Sequence, residues 1–342
     1  MNGAAKLIKQ AIEARCISIE SLASRIGHRD STIRAIAAGK ASVTALIALE
    51  LECALGIPAH ELSCASAAEF AKANIARQKF LSESADWARL FPLRSLQKAG
   101  LIPAAYNLQH DEELALAALR FMGFAHPADW ARHYALLAKT KNPQTLSAWL
   151  RTGELQALQA QAKEYHTDAF KMALQNIRYE STHGDKDFKK FIVKNLTDAG
   201  VIFLQIPASL KTQAPRSASF TIHGNPVILL SQTERTDADI LEDIFHAAGH
   251  FLKHKPGTLC VRGIPGITIH GEASAESFAE KELLPESAEC EIIACGKFSA
   301  PADIRYFSTV FRVAPGIIVS RLQQQRKLPA GTPLNSLKKM LS

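Results

Sequence analysis

Apolar residues are spaced differently in three successive stretches of the chain, and each spacing predicts a different kind of region. Residues 1–64 show short helical periodicities that break at glycines. Residues 65–165 are rich in alanine, leucine and glutamine and carry few strand signals. Residues 166–342 mix helical periodicity with short strand-like runs. The pattern predicts a multidomain, mainly α protein with an N-terminal helical bundle, a helical middle region and a C-terminal α+β domain.

Three strands are predicted in the C-terminal region. The runs GVIFLQI, SASFTIH and PVILLSQ begin at Gly200, Ser217 and Pro226, and they predict a small three-stranded sheet with an exposed edge. Gly224 and Asn225 are a hairpin signal between the second and third strands. Helices are predicted near 167–180, 237–254 and 272–284, with a helical pair at 301–326 divided at Pro315-Gly316.

The composition is that of a soluble globular protein, with 47% apolar and 21% charged residues in 342. No apolar run is long enough to span a membrane, and the first residues do not resemble a signal peptide. The six cysteines form no C-x-x-C pair, which is typical of reduced thiols, so we expect a cytoplasmic protein. The net charge of +7 fits nucleic-acid binding but is also common among basic soluble proteins.

The first 40 residues predict three short helices. The first covers Ala4 to Arg15, Ser18 caps the second, and Gly27 permits a tight turn before the third, which ends at Gly39. Apolar residues of the third helix face inward and leave a polar surface at its beginning, where a recognition helix reads bases. The candidate DNA contacts are Arg29, Ser31, Thr32 and Arg34, with Lys40 as a phosphate contact.

The segments SLASRIG, STIRAIAAGK and ALELECALGIPAHEL resemble the helix-turn-helix domains of XRE-type repressors and HigA-type antitoxins. The resemblance covers roughly the first 62 residues. It implies operator DNA as a partner and a homodimer that reads two half-sites. The likeness to antitoxins also suggests a toxin as a protein partner.

The segment DILEDIFHAAGHFLKH carries the chain's main chemical signal. His246 and His250 are four residues apart, so a helix would place both imidazoles on one face, within reach of a single ion. Gly249, directly before His250, lets another backbone approach this helix. On a second helix, Glu272 can complete a His/His/Glu set, and Glu276, one turn further on, can orient a ligand histidine. His254 is either a rival ligand or a surface or supporting histidine.

FHAAGHFLKH followed by EASAESFAEKELLP resembles the paired signature of the ImmA/IrrE metallopeptidases, H-E-x-x-H and E-x-E-A-[ND]-x-F-A. AWLRTGELQA and YFSTVFRVAPGIIVSRLQQQ extend the likeness over nearly the whole chain. It implies a zincin-like domain with Zn²⁺ held by His246, His250 and Glu272, and a protein or peptide substrate held along the sheet edge. Ser274 and Glu276 depart from the family pattern.

Ala247 stands where this family has its catalytic glutamate, the general base that takes a proton from the zinc-bound water. Losing a positioned general base removes about 10²–10⁴-fold of rate, whereas zinc binding should survive. Neither Glu242 nor Asp243 is placed to replace it. Ala247 is either an introduced, inactivating substitution or the natural residue of a pseudo-peptidase.

Two functions are open. One is a DNA-binding regulator joined to a zinc metallo-endopeptidase that cleaves itself or a partner repressor, inactive here for want of its base. The other is a non-catalytic repressor or antitoxin whose pseudo-peptidase domain binds a ligand or partner protein. A purely structural helical protein would leave the paired four-residue spacings unexplained. His223 and His270 are candidate substrate contacts.

Overall fold

The computed structural model describes residues 3–64, 67–183, 187–207, 215–254, 259–265, 267 and 271–341. These residues form two compact units, an N-terminal unit up to Leu158 and a C-terminal unit from Gln159 onward. In the described part of the chain, no helix combines the length and the apolar character needed to cross a membrane.

The N-terminal unit is helical throughout its described residues. Its helices are α1 (Gly3–Ala14), α2 (Ile19–Arg25), α3 (Asp30–Ala37), α4 (Ala45–Leu55), α5 (Ala59–Leu62), α6 (Ala67–Glu83), α7 (Ala85–Arg89), α8 (Leu93–Lys98), α9 (Asp111–Met122), α10 (Pro127–His133), a 3₁₀ turn (Ala135–Leu137) and α11 (Pro143–Gln159). The predicted cap of the second helix is confirmed, because Ser18 Oγ accepts a hydrogen bond from the Ser21 N–H at 3.0 Å. Leu22, Ile26 and Ile33 are buried together and hold α2 against α3.

The C-terminal unit packs helices around a small mixed sheet. Its elements are α12 (Thr167–Glu180), α13 (Phe188–Asp198), β1 (Ile202–Pro207), β2 (Ser217–Ile222), β3 (Asn225–Gln232), α14 (Asp237–Lys253), β4 (Cys260–Arg262), α15 (Glu272–Leu283), α16 (Glu286–Cys295), α17 (Pro301–Phe311), α18 (Pro315–Gln324) and a 3₁₀ turn (Pro333–Leu337). The order of strands is β1-β3-β2-β4; β1 runs parallel to β3, and β2 is antiparallel to both neighbours.

Two details of the predicted sheet were wrong. The sheet has four strands and not three, because β4 is only three residues long and such a segment shows no alternation to detect. The hairpin turn lies one residue earlier than predicted: His223 and Gly224 form it, both with positive φ, and Asn225 already pairs with Ile222. The register therefore begins at Asn225, directly before Pro226.

Helix α14 begins with a reciprocal cap and then enters the core. Thr236 Oγ1 accepts from the Asp239 N–H and the Asp239 carboxylate accepts from the Thr236 N–H, both at 3.2 Å. Ile244 and Phe245 are at most 1% exposed and pack within the main core of the unit. This anchoring fixes the rotation of α14, and with it the face that carries His246 and His250.

Candidate functional site

Helix α14 presents two histidines side by side. His246 and His250 are 3% and 6% exposed, and their Nε2 atoms are 3.1 Å apart. The rings meet edge to face, with centroids separated by 4.9 Å. The four-residue spacing therefore places both imidazoles on one face of α14, and the two Nε2 atoms point to a common place.

Glu272, the first residue of α15, faces the same place. Its Oε1 is 3.2 Å from His246 Nε2, and its Oε2 is 3.4 Å from His250 Nε2. The two histidines lower the pKa of Glu272 far below its ordinary value, so the carboxylate is charged at neutral pH. The structure thus brings together the three side chains that the sequence named as ligands, from two separate helices.

A glycine lets these two helices approach closely. A β-carbon at Gly249 would be 2.8 Å from Cα and 2.9 Å from the carbonyl oxygen of Ala275, closer than non-bonded atoms tolerate. Ala275 itself is fully buried. The sequence signal at Gly249, which favoured a close backbone approach, is confirmed, and this contact sets how near Glu272 comes to the histidines.

The geometry of the three residues fits zinc. Two ligand atoms bound at 2.0–2.1 Å in a tetrahedron lie about 3.3 Å apart, and the two Nε2 atoms are 3.1 Å apart. The Glu272 carboxylate contacts each histidine with a different oxygen, at 3.2 and 3.4 Å. Glu272 Oε2 is buried and forms no hydrogen bond within the described part of the chain. Three electron-pair donors so close together repel one another unless a proton or a cation lies between them. The donor set of two imidazoles and a carboxylate is one that zinc takes.

Glu276 orients His246 from behind. Its Oε2 is 2.9 Å from His246 Nδ1, and the Arg262 guanidinium donates to both Glu276 oxygens at 2.9 and 3.1 Å. Arg262 lies in β4 and also donates to Asp243 at 2.6 Å. Glu276 thus contacts His246, the residue it is expected to orient. Arg262 was missed because a lone arginine in an undetected strand gives no sequence signal. The Nδ1 atom of His250 is buried with no partner among the described residues.

His254, His223 and His270 are the remaining sequence candidates in the C-terminal unit, and the His254 ring lies 5.6 Å from the His250 ring. His254 caps the end of α14, and its Nε2 contacts the Ser274 hydroxyl at 2.8 Å and the Gly271 carbonyl at 3.2 Å. It therefore supports the start of α15 and does not join the cluster. His223 lies in the hairpin turn. His270 lies outside the described residues.

Ala247 lines the pocket beside the ligand cluster. It is 2% exposed, and the pocket is also lined by His246, His250 and Glu272. Of the described residues that line this pocket, Glu272 is the only carboxylate. Asp243 is fully buried on ion pairs with Arg216, Arg235 and Arg262.

A sheet edge forms another wall of this pocket. Cys260, Val261 and Arg262 of β4 line it, and β4 is the last strand in the order. Burial raises the pKa of the Cys260 thiol to about 11, so the thiol stays protonated at neutral pH. The wall is therefore uncharged except at Arg262, whose charge is already shared with Glu276 and Asp243.

The candidate DNA contacts lie at the start of α3 and just after it. Arg29, Ser31, Arg34 and Lys40 are exposed, and Thr32 is half-buried. Arg34 forms an ion pair with Glu20 of α2. Arg29 precedes the first turn of the helix, where it has no carboxylate partner within the described residues.

Comparison with known proteins bears on this first region. Residues 8–62 match the family model of the helix-turn-helix, which confirms that prediction for the N-terminal bundle. No curated protein and no solved structure matches the chain significantly. The chain therefore carries a helix-turn-helix domain of the kind that binds DNA, and the C-terminal unit has to be understood from its own geometry.

Proposed function

We propose that the protein is a DNA-binding transcription regulator whose C-terminal unit holds zinc at a peptidase-like centre that lacks its general base. One observation carries the zinc assignment: the two Nε2 atoms lie 3.1 Å apart, close to the spacing of two ligands around one tetrahedral ion, and the Glu272 carboxylate lies within 3.4 Å of both. The resemblance of the two helices to those of ImmA/IrrE metallopeptidases supports the same assignment.

The DNA-binding part rests on the family match at residues 8–62 and on the exposed polar start of α3. We expect Arg29, Ser31 and Thr32 to reach base edges from the beginning of the recognition helix, and Lys40 to contact a phosphate. Arg34 has to leave Glu20 before it can contact DNA. We expect a homodimer on a two-fold operator, with a toxin as a further protein partner.

His246, His250 and Glu272 would hold the zinc, which when bound supplies Lewis-acid polarisation of a carbonyl and activation of water. The chain's own residues do the rest of the positioning. Glu276 accepts a hydrogen bond from the Nδ1–H of His246, which keeps the proton on Nδ1 and leaves the Nε2 atom of His246 free for the metal. Arg262 in turn holds Glu276 in position. Ala247 can neither accept nor return a proton, so the centre binds but does not hydrolyse.

An endopeptidase is the second candidate, and the position of β4 favours it. An edge strand beside the ligand cluster can pair with an extended peptide through main-chain hydrogen bonds. With a glutamate at position 247, such a peptide would lie beside a complete His/Glu/His/Glu set. Its substrate would be the chain itself or a partner repressor.

The two candidates separate in one experiment on the full chain. Metal analysis, a mobility-shift assay on the protein's own promoter and a cleavage assay are carried out for the chain with Ala247, here called the wild type, and for Ala247→Glu. We expect zinc in both proteins and a salt-sensitive DNA shift by both. We expect no cleavage of the chain or of a co-encoded repressor by the wild type, and none by Ala247→Glu without zinc. Cleavage by the wild type would refute the proposal, and cleavage by zinc-loaded Ala247→Glu alone would establish the peptidase ancestry.

A further inference from the structure

Arg25 and Arg151 of the N-terminal unit converge on one place, and the charge of Arg15 acts on both, so we refer to Arg15, Arg25 and Arg151 as the arginine cluster. Arg15 follows α1, Arg25 ends α2 and Arg151 lies in α11. A β-carbon at Gly123 would be 3.1 Å from Arg25 Nη1 and 3.2 Å from Arg151 Nη2, so these two guanidiniums share one neighbour. Burial, together with the charges of Arg151 and Arg25, lowers the pKa of Arg15.

The arginine cluster has too little negative charge to balance it. Glu154 pairs with Arg151 at 2.5 Å and with Arg25 at 3.8 Å. The Arg15 guanidinium forms no ion pair and no hydrogen bond within the described part of the chain, and no carboxylate raises its pKa. The three positive charges of the arginine cluster are therefore accompanied by one carboxylate, that of Glu154. Like charges repel more strongly in such a partly buried place than in water.

The cluster also has hydrogen-bond donors without acceptors. Arg25 is only 6% exposed, yet its guanidinium makes no hydrogen bond among the described residues, and its Nε is fully buried. It contacts the Phe124 ring at 5.0 Å and Glu154 at a distance too long for a hydrogen bond. Arg151 donates through Nε to the Phe121 carbonyl and through Nη1 to Glu154, which leaves Nη2 unused. Buried donors without acceptors are costly and rare in folded proteins.

We propose that the arginine cluster binds a small tetrahedral oxyanion, namely a phosphate group carried by a free phosphate ion or by a phosphate monoester. A phosphate offers several acceptor oxygens and up to two negative charges, which match the unused donors and the excess positive charge. Arg15 and Arg25 belong to the helix-turn-helix bundle and Arg151 to the helices that follow it. Binding therefore links the DNA-binding bundle to α11.

Unfolding of this unit can be followed separately. The three tryptophans, Trp87, Trp130 and Trp149, all lie in the N-terminal unit, so their fluorescence reports its melting in the full chain. Melting is measured in sodium phosphate, in 5′-AMP and in sodium chloride at equal ionic strength. The proposal expects phosphate to raise the wild-type midpoint by about 3–6 °C over chloride. A rise with 5′-AMP as well would extend the site to monoesters, and a rise with phosphate alone would assign it to the free ion.

Variants separate binding from the general stabilising effect of phosphate on proteins. Arg15→Gln removes a cation that makes no hydrogen bond, so the fold should persist while phosphate affinity falls by about tenfold or more. Arg15→Lys keeps the charge and should keep part of the response. Arg89→Gln is the matched control, because Arg89 is exposed and paired with Asp86 and Asp111. Equal melting of the wild type in phosphate and chloride, or an undiminished response of Arg15→Gln, would overturn the proposal.

Discussion

Buried arginines occur in both units, but their charges are balanced in different ways. In the C-terminal unit each arginine of the ion network meets a carboxylate; its members are Arg216, Arg235, Arg262, Asp239, Glu242, Asp243 and Glu276. In the N-terminal unit the arginine cluster has Glu154 alone. A network in which every arginine has a carboxylate partner holds neighbouring groups in place, and here it holds Glu276 against His246. A cluster of arginines with too few carboxylates is better suited to binding an anion from solution.

The largest effect is expected where the C-terminal ion network is broken at its centre. Asp243 is fully buried and pairs with three arginines. Asp243→Asn removes the charge, which leaves Arg235 without a carboxylate and takes one partner from Arg216 and from Arg262. The free energy of unfolding should fall by about 3–5 kcal/mol. Denaturant unfolding of the full chain measures it. Asp187→Asn, at an exposed pair with Lys190, is the control and should change stability by less than about 0.5 kcal/mol.

A smaller loss is expected from widening the contact between α14 and α15. Gly249→Ala places a β-carbon 2.8 Å from Ala275 Cα, so the helices have to separate. Overpacking of this kind should cost about 1–3 kcal/mol of stability, and zinc affinity should fall with it. Gly331→Ala, in open space in the same unit, is the control. Unchanged zinc affinity in Gly249→Ala would show that the helix spacing does not set the site.

Glu276→Gln should weaken zinc binding while leaving the ligands in place. Glu276 accepts from His246 Nδ1 and is held by Arg262. Replacing such a supporting carboxylate typically reduces metal affinity about 10–100-fold. A chelator competition assay measures the change, and Glu280→Gln, on the same helix but away from the histidines, should retain wild-type affinity. A wild-type affinity in Glu276→Gln would remove the proposed link from the ion network to the metal.

The smallest effect is expected in the N-terminal unit, and it has the opposite sign. Arg15→Met in phosphate-free buffer removes a half-buried cation that only repels Arg25 and Arg151. The N-terminal unit should become more stable, by less than about 1 kcal/mol, as judged from tryptophan fluorescence during unfolding. A clear loss of stability would mean that the arginine cluster is balanced by contacts within the protein, and the contrast between the two units would disappear.

The features that depend on neighbouring residues in the sequence were predicted, whereas the features that depend on residues far away in the sequence were missed. Ser18, Gly249 and the four-residue spacing of His246 and His250 act through local geometry, and each lies as expected. Strand β4 was missed because three residues form a strand only when β2 lies beside them. Arg262 was missed with it, since its partners Asp243 and Glu276 are 19 and 14 residues away.

Charge balance is equally invisible in the sequence. Arg15, Arg25 and Arg151 are far apart along the chain, and nothing in their local sequence distinguishes them from solvated surface arginines. Only the fold shows that Arg25 and Arg151 share the Glu154 carboxylate and that the charge of Arg15 acts on both arginines. The sequence also cannot show that Glu272 Oε2 is buried without a hydrogen bond among the described residues, because this depends on how α14 packs against α15.

The zinc content of the purified full chain shows whether His246, His250 and Glu272 form a metal site. It is measured by mass spectrometry for the wild type, Ala247→Glu and Glu272→Ala after dialysis against a weak chelator. We expect about one zinc per chain in the first two proteins and almost none in Glu272→Ala, because that variant keeps both imidazoles but loses the carboxylate. A metal-free wild type, or full zinc occupancy in Glu272→Ala, would contradict this assignment.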